Sequence, residues 1–130
     1  MVLHTSAMLA VLLNEPDADA FRRAIEADSV RLLSTANLVE TAIVIEARVG
    51  EAGGRELDLL VHKAAIEVVA VDAGQADLAR HAYRQFGKGR HAAGLNYGDC
   101  FAYALSLSAG EPLLFKGDDF SKTDVSVASL

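Results

Sequence analysis

Val30-Arg31-Leu32-Leu33-Ser34-Thr35-Ala36-Asn37-Leu38-Val39-Glu40 changes character in mid-run, and the change decides the fold. Val30–Leu33 is a short apolar run of strand type, bounded by polar residues. Ser34-Thr35 then supplies hydroxyls that suit a helix start, and a helix is expected from Ala36 to Val49, closed by Gly50. The same unit recurs on either side. Val2-Leu3 leads into Thr5-Ser6, which are expected to cap a helix over Ala7–Leu13. Pro16-Asp17 opens a second helix to about Ala27, with Phe21, Ala24 and Ile25 on its apolar face. Gly53-Gly54 is expected to separate the Ala36–Val49 helix from one carrying Leu57, Leu60 and Val61. Ile66–Val71 is β-branched and reads as a strand, and Asp72 begins a helix to about Phe86. Asn96 caps a helix through Ser108 that stops at Gly110. Pro112 precedes a strand at Leu113–Phe115, the turn Gly117-Asp118-Asp119-Phe120 and a last short strand around Val125–Val127. Strands alternating with helices predict one α/β domain over residues 1–130, a central parallel β-sheet flanked by helices on both faces. In such sheets, sites form beyond the carboxyl ends of the strands, where His4-Thr5, the start of the Thr35 helix and Asp118-Asp119 all lie.

Composition narrows the function. The chain has 130 residues, 52% of them hydrophobic, with ten Gly and two Pro, so it is neither disordered nor of low complexity. Its formal net charge of −6 argues against a nucleic-acid binder that uses its whole surface, while leaving room for acids gathered at a metal site. The single cysteine, Cys100, forms no internal disulfide, and no Cys/His cluster has zinc spacing. The opening apolar run lacks a basic start and is ended early by Asn14, Glu15 and Asp17. A soluble cytoplasmic protein without a signal or spanning helix is expected.

Three groups of acids stand in unexpected places. Asp99 is the only formally charged residue between Arg90 and Glu111, on a helix rich in apolar side chains. A carboxylate there needs a partner, a metal or water, although Asn96-x-x-Asp99 also reads as a capping box. Glu40 sits on an equally apolar helix, and Asn37-x-x-Glu40 offers the same capping alternative. Asp118 and Asp119 follow an apolar strand, where Asp is also common for local turn reasons. Together these acids suit hard divalent cations, which take oxygen ligands.

With those residues in view, four stretches resemble the PIN-domain family, and most nearly the VapC toxins of bacterial toxin–antitoxin pairs. They are Val2-Leu3-His4-Thr5-Ser6-Ala7, the early Glu40, Asn96-Tyr97-Gly98-Asp99-Cys100 and Leu114-Phe115-Lys116-Gly117-Asp118-Asp119-Phe120. The resemblance covers essentially the whole chain. It implies a compact PIN fold and a Mg²⁺- or Mn²⁺-dependent endoribonuclease, usually a homodimer, held in check by a cognate VapB-like antitoxin in a hetero-oligomer. It also implies that Glu40, Asp99 and Asp119 are catalytic metal-site acids, with Asp118 beside Asp119 contributing from further out. Thr5 or Ser6 would order water or phosphate, and Asn96 would brace the site. One position departs. Where the family carries an aspartate before Thr5-Ser6, this chain has His4. Read by itself, His4 is a histidine closing a buried strand. Read with the family, it stands at a metal-ligand position, removes one negative charge and offers an imidazole that suits Mn, Fe or Zn better than Mg.

The glycine-flanked loop Lys88-Gly89-Arg90-His91 is the one local basic segment and suits an RNA backbone, with an ordinary solvated loop as its alternative. The apolar helix face around Leu38 and Ile43 would receive an antitoxin segment or another subunit, unless it is core. Arg22 and Arg23 read as surface charge, Glu46 as a separate feature, and His62 and His81 match no metal spacing. Two functions stand side by side: a metal-dependent ribonuclease acting on RNA, and a catalytically silent PIN module that keeps antitoxin or RNA binding. A small-molecule-binding α/β domain is more remote, because the chain lacks GxGxxG and P-loop motifs.

Overall fold

Three apolar dipeptides, Val2-Leu3, Leu32-Leu33 and Leu113-Leu114, form the middle of the sheet in the computed structural model, which describes residues 1–130. Successive strand residues face opposite sides, so each dipeptide contributes one side chain to each face. Val2, Leu32 and Leu113 belong to one buried cluster, with Ala79, Ala82, Tyr103 and Leu105. Leu3, Leu33 and Leu114 belong to the other, with Met8, Phe21, Ile25 and Leu57. The chain is therefore a three-layer α/β/α domain, with both faces of β1, β2 and β4 buried and the edge strand β3 partly exposed.

The elements run β1 (Val2–Leu3), α1 (Thr5–Leu12), α2 (Ala18–Ala27), β2 (Leu32–Ser34), α3 (Thr35–Val49), α4 (Glu51–Lys63), β3 (Glu67–Val69), α5 (Ala73–Phe86), α6 (Tyr97–Ala109) and β4 (Leu113–Leu114), then a 3₁₀ turn at Phe120–Lys122. The strand order is β3-β2-β1-β4, and every pairing is parallel. Val2 pairs with both Leu32 and Leu113. The order reverses at β1, and the crevice at such a reversal, beyond the strand ends, is where open parallel sheets place their sites. No helix is long and apolar enough to cross a membrane.

The strands are shorter than the apolar runs predict. Only Leu32–Ser34 of the Val30 segment, Glu67–Val69 of the Ile66 segment and Leu113–Leu114 are paired. The last strand reduces to one parallel bridge between Leu113 and Val127, because β4 offers only two residues to pair with. The cap of the first helix also differs: His4, not Thr5-Ser6, occupies that position, and the helix starts at Thr5.

Gly53-Gly54 does not interrupt the chain. The break falls at Gly50, whose φ of 75° and ψ of −167° suit glycine alone, and α4 continues through both later glycines. Glycine at 53 serves helix packing. A Cβ there would lie 2.6 Å from Val49 Cγ2, 2.8 Å from Ile45 Cγ1 and 2.9 Å from the Ile45 carbonyl oxygen. A Cβ at 54 would meet mainly the end of the flexible Glu46 side chain, with Glu46 Cδ at 3.1 Å. The two neighbours should therefore respond with opposite signs. Gly54→Ala should stabilise the fold by about 0.5–1 kcal/mol through helix propensity. Gly53→Ala should destabilise it by about 1–3 kcal/mol through overpacking. Urea unfolding of both variants measures the contrast, and equal effects would contradict this account of the α3–α4 contact.

Candidate active site

His4 closes β1 and begins α1, and both roles bear on its chemistry. Its backbone is extended (φ −81°, ψ 155°), and its N–H donates to the Leu114 carbonyl at 2.9 Å, as a continuation of the β1–β4 ladder. Its Nδ1 accepts the Ser6 backbone N–H at 3.0 Å, which caps the helix. A nitrogen that accepts this bond carries no proton, so the proton of the neutral ring sits on Nε2. Nε2 then donates to Asp99 Oδ1 at 2.7 Å. Ser6 Oγ lies 2.8 Å from Nδ1 and itself accepts the Lys116 backbone N–H at 2.8 Å. A continuous hydrogen-bonded chain thus joins the start of the β4 loop to the start of α6. Phe120 packs edge-on against the imidazole, with ring centroids 4.9 Å apart.

Asp99 is held from its own helix as well. Asn96 Oδ1 accepts the Asp99 N–H at 2.9 Å, and Asp99 Oδ2 accepts the Asn96 N–H at 3.0 Å. The capping box expected from the sequence is therefore formed, and the same carboxylate faces His4. Both readings of Asp99 hold at once, because a box uses one oxygen and leaves the other. The charge of Asp99 is felt next door. The buried Cys100 thiol is pushed up to about 11, first by burial and then by that carboxylate. Cys100 is thus not an activated nucleophile.

Glu40 reaches the same place from α3. Ser34 caps that helix, so Asn37-x-x-Glu40 lies inside it and is not a capping box. Its Oε1 accepts from Thr5 Oγ1 and, at 3.2 Å, from Asn37 Nδ2. Asn37 is fully buried and also donates to the Gly98 carbonyl at 3.0 Å, tying α3 to the first turn of α6. Glycine at 98 leaves room for the Glu40 carboxylate to hold its bonds to Thr5 and Asn37. A Cβ at that position would stand 2.6 Å from Glu40 Cδ. Asn37 and Gly98 were not expected as site residues. The available sign for Asn37 was its place three residues before a carboxylate on an otherwise apolar helix.

The remaining candidates are spread around this centre. Asp118 and Asp119 are exposed, and Asp118 faces Lys122 at 3.9 Å. Asp119 precedes the 3₁₀ turn without capping it. Lys116 is engaged by Asp17 at 3.1 Å and Glu15 at 3.2 Å, and these two carboxylates hold its ammonium above the usual lysine range. Lys88 and Arg90 lie on the exposed loop ahead of α6, with the Arg90 guanidinium 5.9 Å from the Tyr83 ring centre.

The donor set does not fit Mg²⁺ or Mn²⁺ as it is arranged. No three His, Cys, Asp or Glu side chains converge closely enough to hold a metal ion. The Nε2 of His4 carries a proton aimed at Asp99, so it presents no lone pair. Asp99 has one oxygen bonded to His4 and the other in its capping bond, and Glu40 Oε1 accepts from Thr5 and Asn37, which leaves Glu40 Oε2 as the carboxylate oxygen without a hydrogen bond. The His4 imidazole thus engages one oxygen of Asp99 directly.

Comparison with known proteins places this geometry. The PIN domain family model matches residues 1–126. The chain is 62% identical over 130 residues to Ribonuclease VapC30 of Mycobacterium tuberculosis, across all of this chain and 99% of that one. It is also 62% identical over 125 residues to Ribonuclease VapC of Mycolicibacterium smegmatis, covering 96% of this chain and 97% of that one. Among solved structures, Mycobacterium tuberculosis VapC20, described as a Sarcin-Ricin loop cleaving toxin, shares the fold with a TM-score of 0.79 at 16% identity over 95% of each chain. VapBC2 from Rickettsia felis, bound to a DNA fragment from its promoter, matches with a TM-score of 0.74 at 14% identity over 97% of this chain and 94% of that one. With the parallel sheet and the reversal at β1 already in place, these likenesses along the whole length settle one point: the chain belongs to the PIN-domain family.

Proposed function

We propose that this chain is the toxin-type member of a VapBC pair, an RNA-directed endoribonuclease of the cytoplasm whose hydrolytic centre is throttled by His4. The observation that supports it is that successive residues at the carboxyl end of β1, His4 and Thr5, bond to Asp99 of α6 and Glu40 of α3, in a chain similar along its whole length to proteins named VapC ribonucleases. In this reading Thr5 and Asn37 orient Glu40, and Asn96 holds Asp99. Lys88 and Arg90 attract the RNA backbone. The cofactor, Mg²⁺ or Mn²⁺, belongs to the restored centre: the carboxylate introduced by His4→Asp would join Glu40, Asp99 and Asp119 as oxygen donors, the kind these cations take.

The His4–Asp99 hydrogen bond favours a second reading, a silent PIN module that still folds and binds its partner. Cleavage of a structured RNA with Mg²⁺ or Mn²⁺ separates the two. His4→Asp should raise cleavage by at least ~10-fold, and adding Asp99→Asn to it should remove that gain. Cleavage unchanged by His4→Asp would contradict the throttle. Absence of cleavage in every variant, with antitoxin binding intact, would establish the silent module.

Partner binding has its own surface. Between α3 and α4 a groove is lined by Leu38, Val39, Ala42 and Ile43 together with Glu46, Glu51, Arg55 and Asp58, and Ile43 is 64% exposed. Ile43 and the neighbouring exposed Val39 support this groove as the interaction site. A VapB-like antitoxin segment is its proposed occupant, within a hetero-oligomer built on a toxin homodimer. Ile43→Asp should leave the melting temperature within a few degrees of the parent, because the side chain is already exposed. It should weaken antitoxin capture by roughly tenfold or more. Undiminished capture would remove the groove from the interface.

A further inference from the structure

The Ser6 hydroxyl takes part in hydrogen bonds that helix capping does not need. Its oxygen accepts the Lys116 backbone N–H at 2.8 Å, across 110 positions of the chain. The acceptor left for its own proton is His4 Nδ1, also at 2.8 Å. That nitrogen is unprotonated, since the Ser6 backbone N–H donates to it. The ring proton sits on Nε2 and goes to Asp99 Oδ1 at 2.7 Å, across 95 positions. The order is hydroxyl, imidazole, carboxylate: a nucleophile on a base, and the base oriented by an acid. Capping explains the local contact between residues 4 and 6. It does not explain the two long-range bonds that fix the hydroxyl and the imidazole from different sides.

The surroundings suit such a group. Phe120, edge-on at 4.9 Å between ring centroids, limits the swing of the imidazole. The His4 and Asp99 side chains are 12% and 11% exposed, and Ser6 is half-buried, so the hydroxyl is shielded without being sealed. The Lys116 N–H points at the oxygen that gains negative charge as its proton leaves, which stabilises that charge. The one thiol does not compete, because burial and the Asp99 carboxylate push Cys100 up to about 11.

We propose that Ser6 is an activated nucleophile that takes acyl groups from small activated esters, with His4 Nδ1 as its base and Asp99 positioning the ring. Oγ bonds to the acyl carbon as its proton passes to Nδ1, displacing the Ser6 N–H from that nitrogen. The bond from carbon to the alcohol oxygen then breaks, and the proton leaves with the alcohol. Water releases the acyl group from Ser6 by the same transfers. This chemistry goes beyond the RNA reading and does not depend on it.

Phenylmethylsulfonyl fluoride is a direct probe: an oxygen–sulfur bond forms at Ser6, the sulfur–fluorine bond breaks, fluoride leaves, and the proton passes through His4 to water. Mass spectrometry of the full chain should show one added sulfonyl group, mapped to the peptide carrying Ser6. Hydrolysis of p-nitrophenyl acetate should stop once that group is in place, and Ser6→Ala should remove both signals. His4→Asp should slow labelling at least ~10-fold, although an aspartate still caps α1. Asp99→Asn should do the same, because an amide offers one acceptor oxygen to the two donors, His4 Nε2–H and the Asn96 N–H, that the carboxylate satisfies. It should also move the imidazole nitrogen NMR signals toward the Nδ1–H tautomer, a change that loosened packing alone would not produce. Absence of an adduct on the folded parent, an adduct on other residues only, or Ser6 labelling unchanged in His4→Asp or Asp99→Asn would overturn the activated serine. None of these results bears on the RNA reading, which RNA cleavage tests.

Discussion

Parallel pairing of β1 with β2 on one side and β4 on the other is the constraint on which the rest depends. β1 is only two residues long, and both side chains are buried, one on each face of the sheet. Its carboxyl end therefore cannot turn aside before the next residues emerge at the top edge. His4, Thr5 and Ser6 emerge together and meet Asp99 from α6, Glu40 from α3 and the Lys116 backbone beyond β4. Four chain segments far apart in sequence meet because one short strand lies at the reversal of strand order.

At that meeting point the decisive chemistry is a proton position. The backbone N–H of Ser6 occupies His4 Nδ1, which forces the ring proton onto Nε2 and aims it at Asp99. A helix cap thereby determines what a candidate ligand can do. Coordination through Nε2 would require moving that proton to Nδ1, at the cost of the cap bond, which is worth about 0.5–2 kcal/mol. His4 is thus integrated into the fold as a structural residue at a position where its charge and donor properties also govern the acids. Stability and chemistry at this position are coupled through one ring.

Charge is unevenly distributed around the centre. Lys116 is neutralised by Glu15 and Asp17, and the exposed Asp118 faces Lys122. Arg84, Lys88 and Arg90, which pair with no carboxylate, lie on α5 and the loop before α6. A net charge of −6 therefore describes the local surface poorly. The side reached by α5 and the loop before α6 is locally positive, and local potential matters more than the sum over a surface when the ionic atmosphere screens beyond about 10 Å.

Much of this was legible in the sequence, for local reasons. The helices over 18–27, 73–86 and 97–109 and the caps at Asp72 and Asn96 follow from periodicity and short-range hydrogen bonding. The three-layer architecture follows from apolar dipeptides that alternate with amphipathic helices. The anomaly of Asp99 and Glu40 was visible as charge on apolar helices. Strand ends were not legible, because pairing stops where the neighbour stops, and β4 limits the last strand to one bridge. The break at Gly50 rather than Gly53-Gly54 was not legible either, since Gly53 is small to admit Val49 and Ile45 rather than to turn the chain. Nor could the sequence place Asn37 beside Gly98, or pair His4 with Asp99 across 95 positions. Those contacts are decided by the strand order, which depends on long-range pairing that no local pattern encodes. The residue types and their helices belong to the sequence alone. Which of them meet, and which ring nitrogen carries the proton, belongs to the tertiary structure.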